Sequence, residues 1–129
     1  MSYAALLIAA ALTVAIGAAH SWIGERRLIG PLLAPEARQG LLAHAFARQV
    51  LRFAWHLTTL AWWGIGAIMI VLAAAPPDGP GRLLLAIIAA TFLASGLVTL
   101  VASRGRHLAW PVFLAIAILV ILPLLERSE

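Results

Sequence analysis

The sequence has no cysteine, no lysine and only five acidic residues in 129. Without cysteine there are no disulfides, thiolate metal sites, iron–sulfur clusters or thiol redox chemistry. Charged residues make up 11% of the chain, well under the roughly 25% of an ordinary soluble domain. A glycine-rich phosphate loop and a serine nucleophile elbow are also missing, which removes the commonest signatures of nucleotide and acyl-transfer chemistry. What fills the space is apolar. Hydrophobic residues reach 64% and mean hydropathy is +1.02, so too few polar side chains remain to cover a water-facing surface. Lipid is the expected solvent, and the length suits a single domain covering residues 1–129.

Four apolar runs are long enough to matter: about residues 3–23, 53–75, 83–102 and 108–125. About 20 apolar residues in a helix cover a hydrocarbon core near 30 Å. Lipid satisfies no open sheet edge, so the expected fold class is all-α, an integral membrane four-helix bundle. The first run could instead be a cleaved signal peptide, but no basic segment precedes it and the run exceeds a usual signal core. It is read as a retained span. Pro76-Pro77-Asp78-Gly79-Pro80-Gly81 reads as a tight exposed turn after span two. Ser103-Arg104-Gly105-Arg106 is the break before span four, whose Pro111 falls in the first turn.

All nine basic residues are arginine, giving a net charge of +4. They flank apolar spans, so topology explains them better than nucleic-acid binding, and no nucleic-acid partner is expected. Arg26, Arg27, Arg38, Arg48 and Arg52 border the first connection and Arg104 and Arg106 the third, leaving Arg82 and Arg127 on the other side. Positively charged short loops stay in the cytoplasm; both termini are therefore expected outside it. Trp22, Trp55 and Trp110 fall at the inner interface, while Trp62 and Trp63 lie deeper and imply helix packing. Between spans one and two, Leu42, Phe46, Val50 and Phe53 share one helical face. Arg38, Arg48 and Arg52 lie opposite, within about 80° of each other at 100° per residue. The pattern predicts an amphipathic helix at the inner surface or leading into span two, with a bend at Gly40.

The candidate chemistry is histidine. His20 near the inner end of span one, His56 one turn inside Arg52, and His107 at the start of span four come to similar depth; His44 could join them or face water. On span two, Arg48, Arg52, His56, Thr59 and Trp63 form a polar stripe that must be sheltered from lipid. On span one, Thr13, Gly17, His20 and Gly24 form a narrow stripe whose small residues permit close helix packing. Span three carries Thr91, Ser95 and Thr99 one turn apart. Span four is apolar from Val112 to Ile121 and reads as a wall facing lipid or another subunit. Neutral imidazole suits transition metals, and paired histidines ligate haem. One reading is therefore a metal or b-type haem site of His20, His56 and His107, with Glu25 as ligand or orienter. The plainer reading has these histidines hydrogen-bonded to Ser21, Glu25 or backbone. Arg48 and Arg52 read first as groups reaching lipid phosphates, with a dedicated anion or lipid-headgroup pocket as the alternative. Glu25-Arg26-Arg27 reads first as a stop signal closing span one.

The segments His20-Ser21-Trp22-Ile23-Gly24-Glu25-Arg26 and Arg52-Phe53-Ala54-Trp55-His56-Leu57-Thr58-Thr59-Leu60-Ala61-Trp62-Trp63-Gly64 resemble a family of small four-span bacterial proteins with no established activity. The resemblance covers spans one and two by sequence, and spans three and four by length and hydrophobicity. It implies a bacterial inner-membrane location and no catalytic role. Small multidrug exporters and fluoride channels share the size, but the chain lacks the first-span glutamate of the former and the polar and aromatic signature of the latter. Three function classes follow. The first is a binding or redox module with a histidine site, and the second a structural or accessory subunit, homo-oligomeric or joined to a partner membrane protein. The third is a small transporter or channel, disfavoured because no charged midplane residue marks a path.

Overall fold

The computed structural model describes residues 2–74 and 78–125. Helix α1, Ser2–Gly24, is prolonged by a widened π-type turn, Glu25–Ile29, and a last α-turn, Gly30–Leu32. Helices α2 (Ala45–Ala73), α3 (Gly79–Ser103) and α4 (Ala109–Leu125) follow, and no strand occurs among the described residues. The prolonged α1, α2 and α3 are each long and apolar enough to cross a membrane; α4 is as apolar but has 17 residues. Ala75 at the expected end of span two, Pro76 and Pro77 of the predicted turn, and the Glu126–Glu129 tail lie outside the described residues.

Local chemistry sets the helix boundaries. The widening after Gly24 precedes Pro31, whose ring would collide with the carbonyl of Arg27 in a regular α-turn. The Gly30 N–H reaches back five residues to the Glu25 carbonyl, and a Cβ on Gly30 would lie 2.8 Å from that oxygen. Only glycine allows this turn. At the start of α3, the Asp78 carboxylate accepts from the Gly81 N–H at 2.8 Å. That side chain caps the helix, so Gly79, Pro80 and Gly81 belong to its first turn rather than to an exposed loop. Arg104, in left-handed backbone at φ 51, closes α3.

The connection between α1 and α2 departs from the expected helix. Pro35–Ala37 and Gly40–Ala43 are short 3-10 turns, separated by Arg38 and extended Gln39, and the second opens on Gly40 at φ 54. Pro35 starts one turn, and the positive φ of Gly40 prevents the two from merging. Helix geometry begins only at Ala45, and from there the amphipathic stretch runs unbroken into α2. Phe46, Val50 and Phe53 project outward and exposed.

The helices pack in the spatial order α2, α1, α4, α3, with α2 and α3 scarcely in contact. The core joins Leu6, Ala9 and Ala10 of α1, Met69 of α2, Leu85 and Ala89 of α3, and Ile116, Ala117 and Val120 of α4. This corrects the reading of α4 as an outer wall. It is a central helix whose Phe113, Ile116, Ala117 and Val120 are buried, while Ile118 is exposed. A helix apolar all round offers no polar stripe to show which face turns inward. The core lies in the half of the bundle away from the arginines. Below it an aromatic line ties all four helices together: His20 meets Trp62 at 5.1 Å, Trp62 meets Phe113 at 5.4 Å, and Phe113 meets Phe92 at 5.9 Å. Beyond that line α1 and α2 stay in contact through Trp55 and Gly24, and a cavity bordered by Thr99 and His107 opens beside them.

Candidate functional site

Two polar arrangements occupy the arginine-rich half, and the candidate histidines divide between them. The first is a ladder between α1 and α2. The helices run antiparallel, so each residue later on α2 meets one earlier on α1. Arg52 Nη2 lies 2.8 Å from Glu25 Oε1, and His56 Nε2 lies 3.2 Å from Glu25 Oε2. His56 Nδ1 is 2.8 Å from Ser21 Oγ, which is 2.8 Å from Thr59 Oγ1. Thr59 donates to the Gly17 carbonyl at 3.1 Å, and Trp63 Nε1–H donates to the Val14 carbonyl at 3.1 Å. Of the polar stripe expected on span two, Arg52, His56, Thr59 and Trp63 therefore face α1, with Thr59 buried and Arg52 and Trp63 about half exposed, while Arg48 turns to the connection instead.

Proton counting constrains this ladder. A hydroxyl has one proton, and imidazole has one or two. With His56 doubly protonated, every contact has a donor: His56 gives to Glu25 and Ser21, Ser21 to Thr59, and Thr59 to Gly17. With His56 neutral and giving to Glu25, Ser21 must give to Nδ1. The Thr59 hydroxyl then has two acceptors, Ser21 and the Gly17 carbonyl, for one proton. In that arrangement one contact of the ladder is left without a proton.

The second arrangement is centred on His20. Its ring stacks on Trp55 at 4.3 Å and 11°, and its Nε2–H donates to the Trp55 carbonyl at 3.3 Å. Trp55 Nε1–H returns a bond to the His20 carbonyl at 3.2 Å. His20 and Trp55 form part of the wall of a cavity of about 740 Å³. The remaining wall includes Ile16, Trp62 and Phe113, with Arg27, Thr99 and His107 as its other polar members. His107 Nδ1 accepts from the Ala109 N–H at 3.2 Å, at the start of α4.

The structure therefore brings His20 and His107 to one cavity, and His56 and Glu25 to the ladder. His56 does not line the cavity. Among the described residues no three His, Cys, Asp or Glu side chains converge as a metal-ion site would need. His44 is exposed, its backbone leading into α2. Thr13 is buried but bonds within its own helix, to the Ala9 carbonyl at 2.8 Å. Gly17 and Gly24 are the points of close approach: a Cβ there would lie 2.9 Å from Trp63 Nε1 and 2.5 Å from Trp55, respectively. Thr91 and Ser95 bond to their own helix. Arg48 donates to the carbonyls of Leu42 and Ala43, both at 2.8 Å, and so clasps the second 3-10 turn.

Sequence reasoning underweighted Ser21 and Trp55. Ser21 stands one turn from both Gly17 and Glu25, and that spacing was the signal for its place in the ladder. Trp55 was assigned to the membrane interface alone, because stacking between helices leaves no mark in the spacing of one helix. Neither a protein-family model, nor a curated protein, nor a solved structure matches the chain. The resemblance carried by the two segments of spans one and two is therefore supported by none of them.

Proposed function

We propose that the chain crosses a bacterial inner membrane four times, with its arginine-rich end in the cytoplasm, and binds an amphiphilic molecule in the cavity around His20. Three observations support the placement, and one, the short α4, must be accommodated. Three helices have spanning length and apolarity. Seven of the nine arginines gather at one end. Large apolar side chains such as Leu83, Leu97 and Val101 are exposed on the outer faces. Helix α4, about 25 Å long at 1.5 Å per residue, falls a few ångströms short of the core, a mismatch that local thinning of the bilayer accommodates.

The observation that carries the binding reading is the cavity itself. Its 740 Å³ lies within the roughly 300–1,000 Å³ of small-molecule sites, which are typically apolar with a few convergent polar groups. Tryptophan and phenylalanine rings suit a flat or isoprenoid body, while Arg27 and His107 suit a polar or anionic head. In this reading the ladder is structural and holds α1 against α2.

Protein purified in a mild detergent should retain such a molecule, detectable by mass spectrometry of an organic extract. Ala19 also lines the cavity, so Ala19→Phe should fill part of it and release the molecule while the helical circular dichroism is kept. A Soret band in the same preparation would identify the amphiphile as haem and restore a histidine-centred role. A wild-type protein free of any amphiphile would overturn the proposal and favour an accessory subunit whose cavity is only a gap in helix packing.

A further inference from the structure

A second cleft, of about 610 Å³, lies between the end of α1 and the start of α2, and Arg38, Arg48, Gln49 and Arg52 line it. We infer that this cleft is a phosphate site, and that its ligand is the phosphate of an anionic phospholipid headgroup. The inference is independent of the amphiphile cavity, which shares no lining residue with it.

Three independent features make the cleft attractive to an oxyanion. The first is charge: three arginines line it and no acidic residue does, although Glu25 partly offsets Arg52. Glu25, the nearest acid in the ladder, is engaged by Arg52 and His56. The second is the start of α2. His44 provides no side-chain cap, and Ala45, the first residue of the helix, lines the cleft. The first N–H groups of a helix lack partners within it and carry the positive end of its dipole. The third is rigidity. Arg48 is held by the carbonyls of Leu42 and Ala43 through one terminal nitrogen, and the half-exposed Arg52 is paired with Glu25. Guanidinium has five N–H donors, so each side chain keeps donors to spare in a position already set. Bidentate pairing with phosphate is the contact this geometry favours.

Two observations favour a lipid over a soluble phosphate. Phe53 forms part of the cleft wall and is 63% exposed; Phe46, at 77% exposed, stands two turns earlier on the same helix. Apolar rings beside a cluster of arginines are the arrangement of a segment seated at the headgroup level, acyl chains on one side and phosphates on the other.

The test uses the full chain in a non-ionic detergent, titrated by calorimetry. The ligands are short-chain phosphatidylglycerol, phosphatidylcholine of equal chain length, and inorganic phosphate. Saturable binding of phosphatidylglycerol alone is expected. Arg38→Gln should weaken it about tenfold, the loss of one hydrogen bond to a charged group. Arg106→Gln removes the same charge from the same end but outside the cleft, and should leave binding unchanged. Gln49→Ala is a second cleft variant that leaves the charge intact and should weaken binding less. Equal binding of phosphatidylcholine, or equal loss in the Arg38 and Arg106 variants, would overturn the site. Inorganic phosphate binding as tightly as phosphatidylglycerol would overturn the lipid as its source.

Discussion

The close approach of α1 to α2 makes a quantitative prediction at Gly24. An alanine methyl there would sit 2.5 Å from Cζ2 and Nε1 of Trp55 and 2.6 Å from Cε2, whereas comfortable carbon contacts lie near ~3.5–4.0 Å. The indole must retreat by roughly 1 Å, and it is held on two sides. Its Nε1–H bonds to the His20 carbonyl at 3.2 Å, and its face stacks on the His20 ring. Giving up the hydrogen bond costs about 1 kcal/mol, and loosening the stack costs about 0.5–1.5 kcal/mol. Replacing glycine by alanine in a helix returns up to about 1 kcal/mol. Gly24→Ala should therefore destabilise the fold by about 1–2 kcal/mol, within the range for overpacking. Gly64 is the control. It lies inside α2 with nothing within 4 Å of its would-be Cβ, so Gly64→Ala keeps only the propensity gain and should stabilise by up to about 1 kcal/mol. Unfolding midpoints in mixed detergent, followed by circular dichroism and tryptophan emission, should shift in opposite directions. A Gly24→Ala protein as stable as the parent, or a shift of the same sign in both variants, would refute the assigned interface.

Three further predictions follow from other parts of the bundle. Ile116 is fully buried and Ile118 is 61% exposed; Ile116→Ala should cost about 2–5 kcal/mol in the same assay, and Ile118→Ala less than about 0.5 kcal/mol, with equal effects disproving the central position of α4. In the ladder, the Glu25 side chain is 33% exposed and that of Arg52 is 51% exposed, so solvent screening limits the loss in Glu25→Gln to about 1 kcal/mol. A double-mutant cycle of Glu25→Gln with His56→Gln should nevertheless give a coupling of at least about 0.5 kcal/mol, and strict additivity would show that the pair does not interact. For topology, a membrane-impermeant thiol reagent added to intact cells should label Asp78→Cys and not Arg104→Cys; the reverse pattern would invert the orientation.

Composition alone determined that this is a helical, lipid-compatible chain, because apolar runs of this length admit no other way to satisfy the backbone. Charge placement also sufficed to gather the arginines at one end. The α2 stripe of Arg52, His56, Thr59 and Trp63 was legible because 3.6-residue periodicity writes a face directly into the sequence, and a polar face in an apolar helix must find cover. Gly17 and Gly24 were legible for the same reason. Which residues met across the helices was not. His20 and His56 lie at similar depth, yet depth is one coordinate, and rotation about each helix axis sends one ring to a cavity wall and the other to a carboxylate. Helix α4 gave no clue to its inward face, since every face is apolar and only packing chose Ile116 over Ile118. Periodicity grouped Arg38, Arg48 and Arg52 on one face of an expected helix, but Arg38 comes to their cleft by another route, two short turns and a left-handed Gly40, a backbone path that no periodicity encodes. Periodicity fixes what lies on one helix, and the angles between helices, set by the sum of many small contacts, decide what becomes a site.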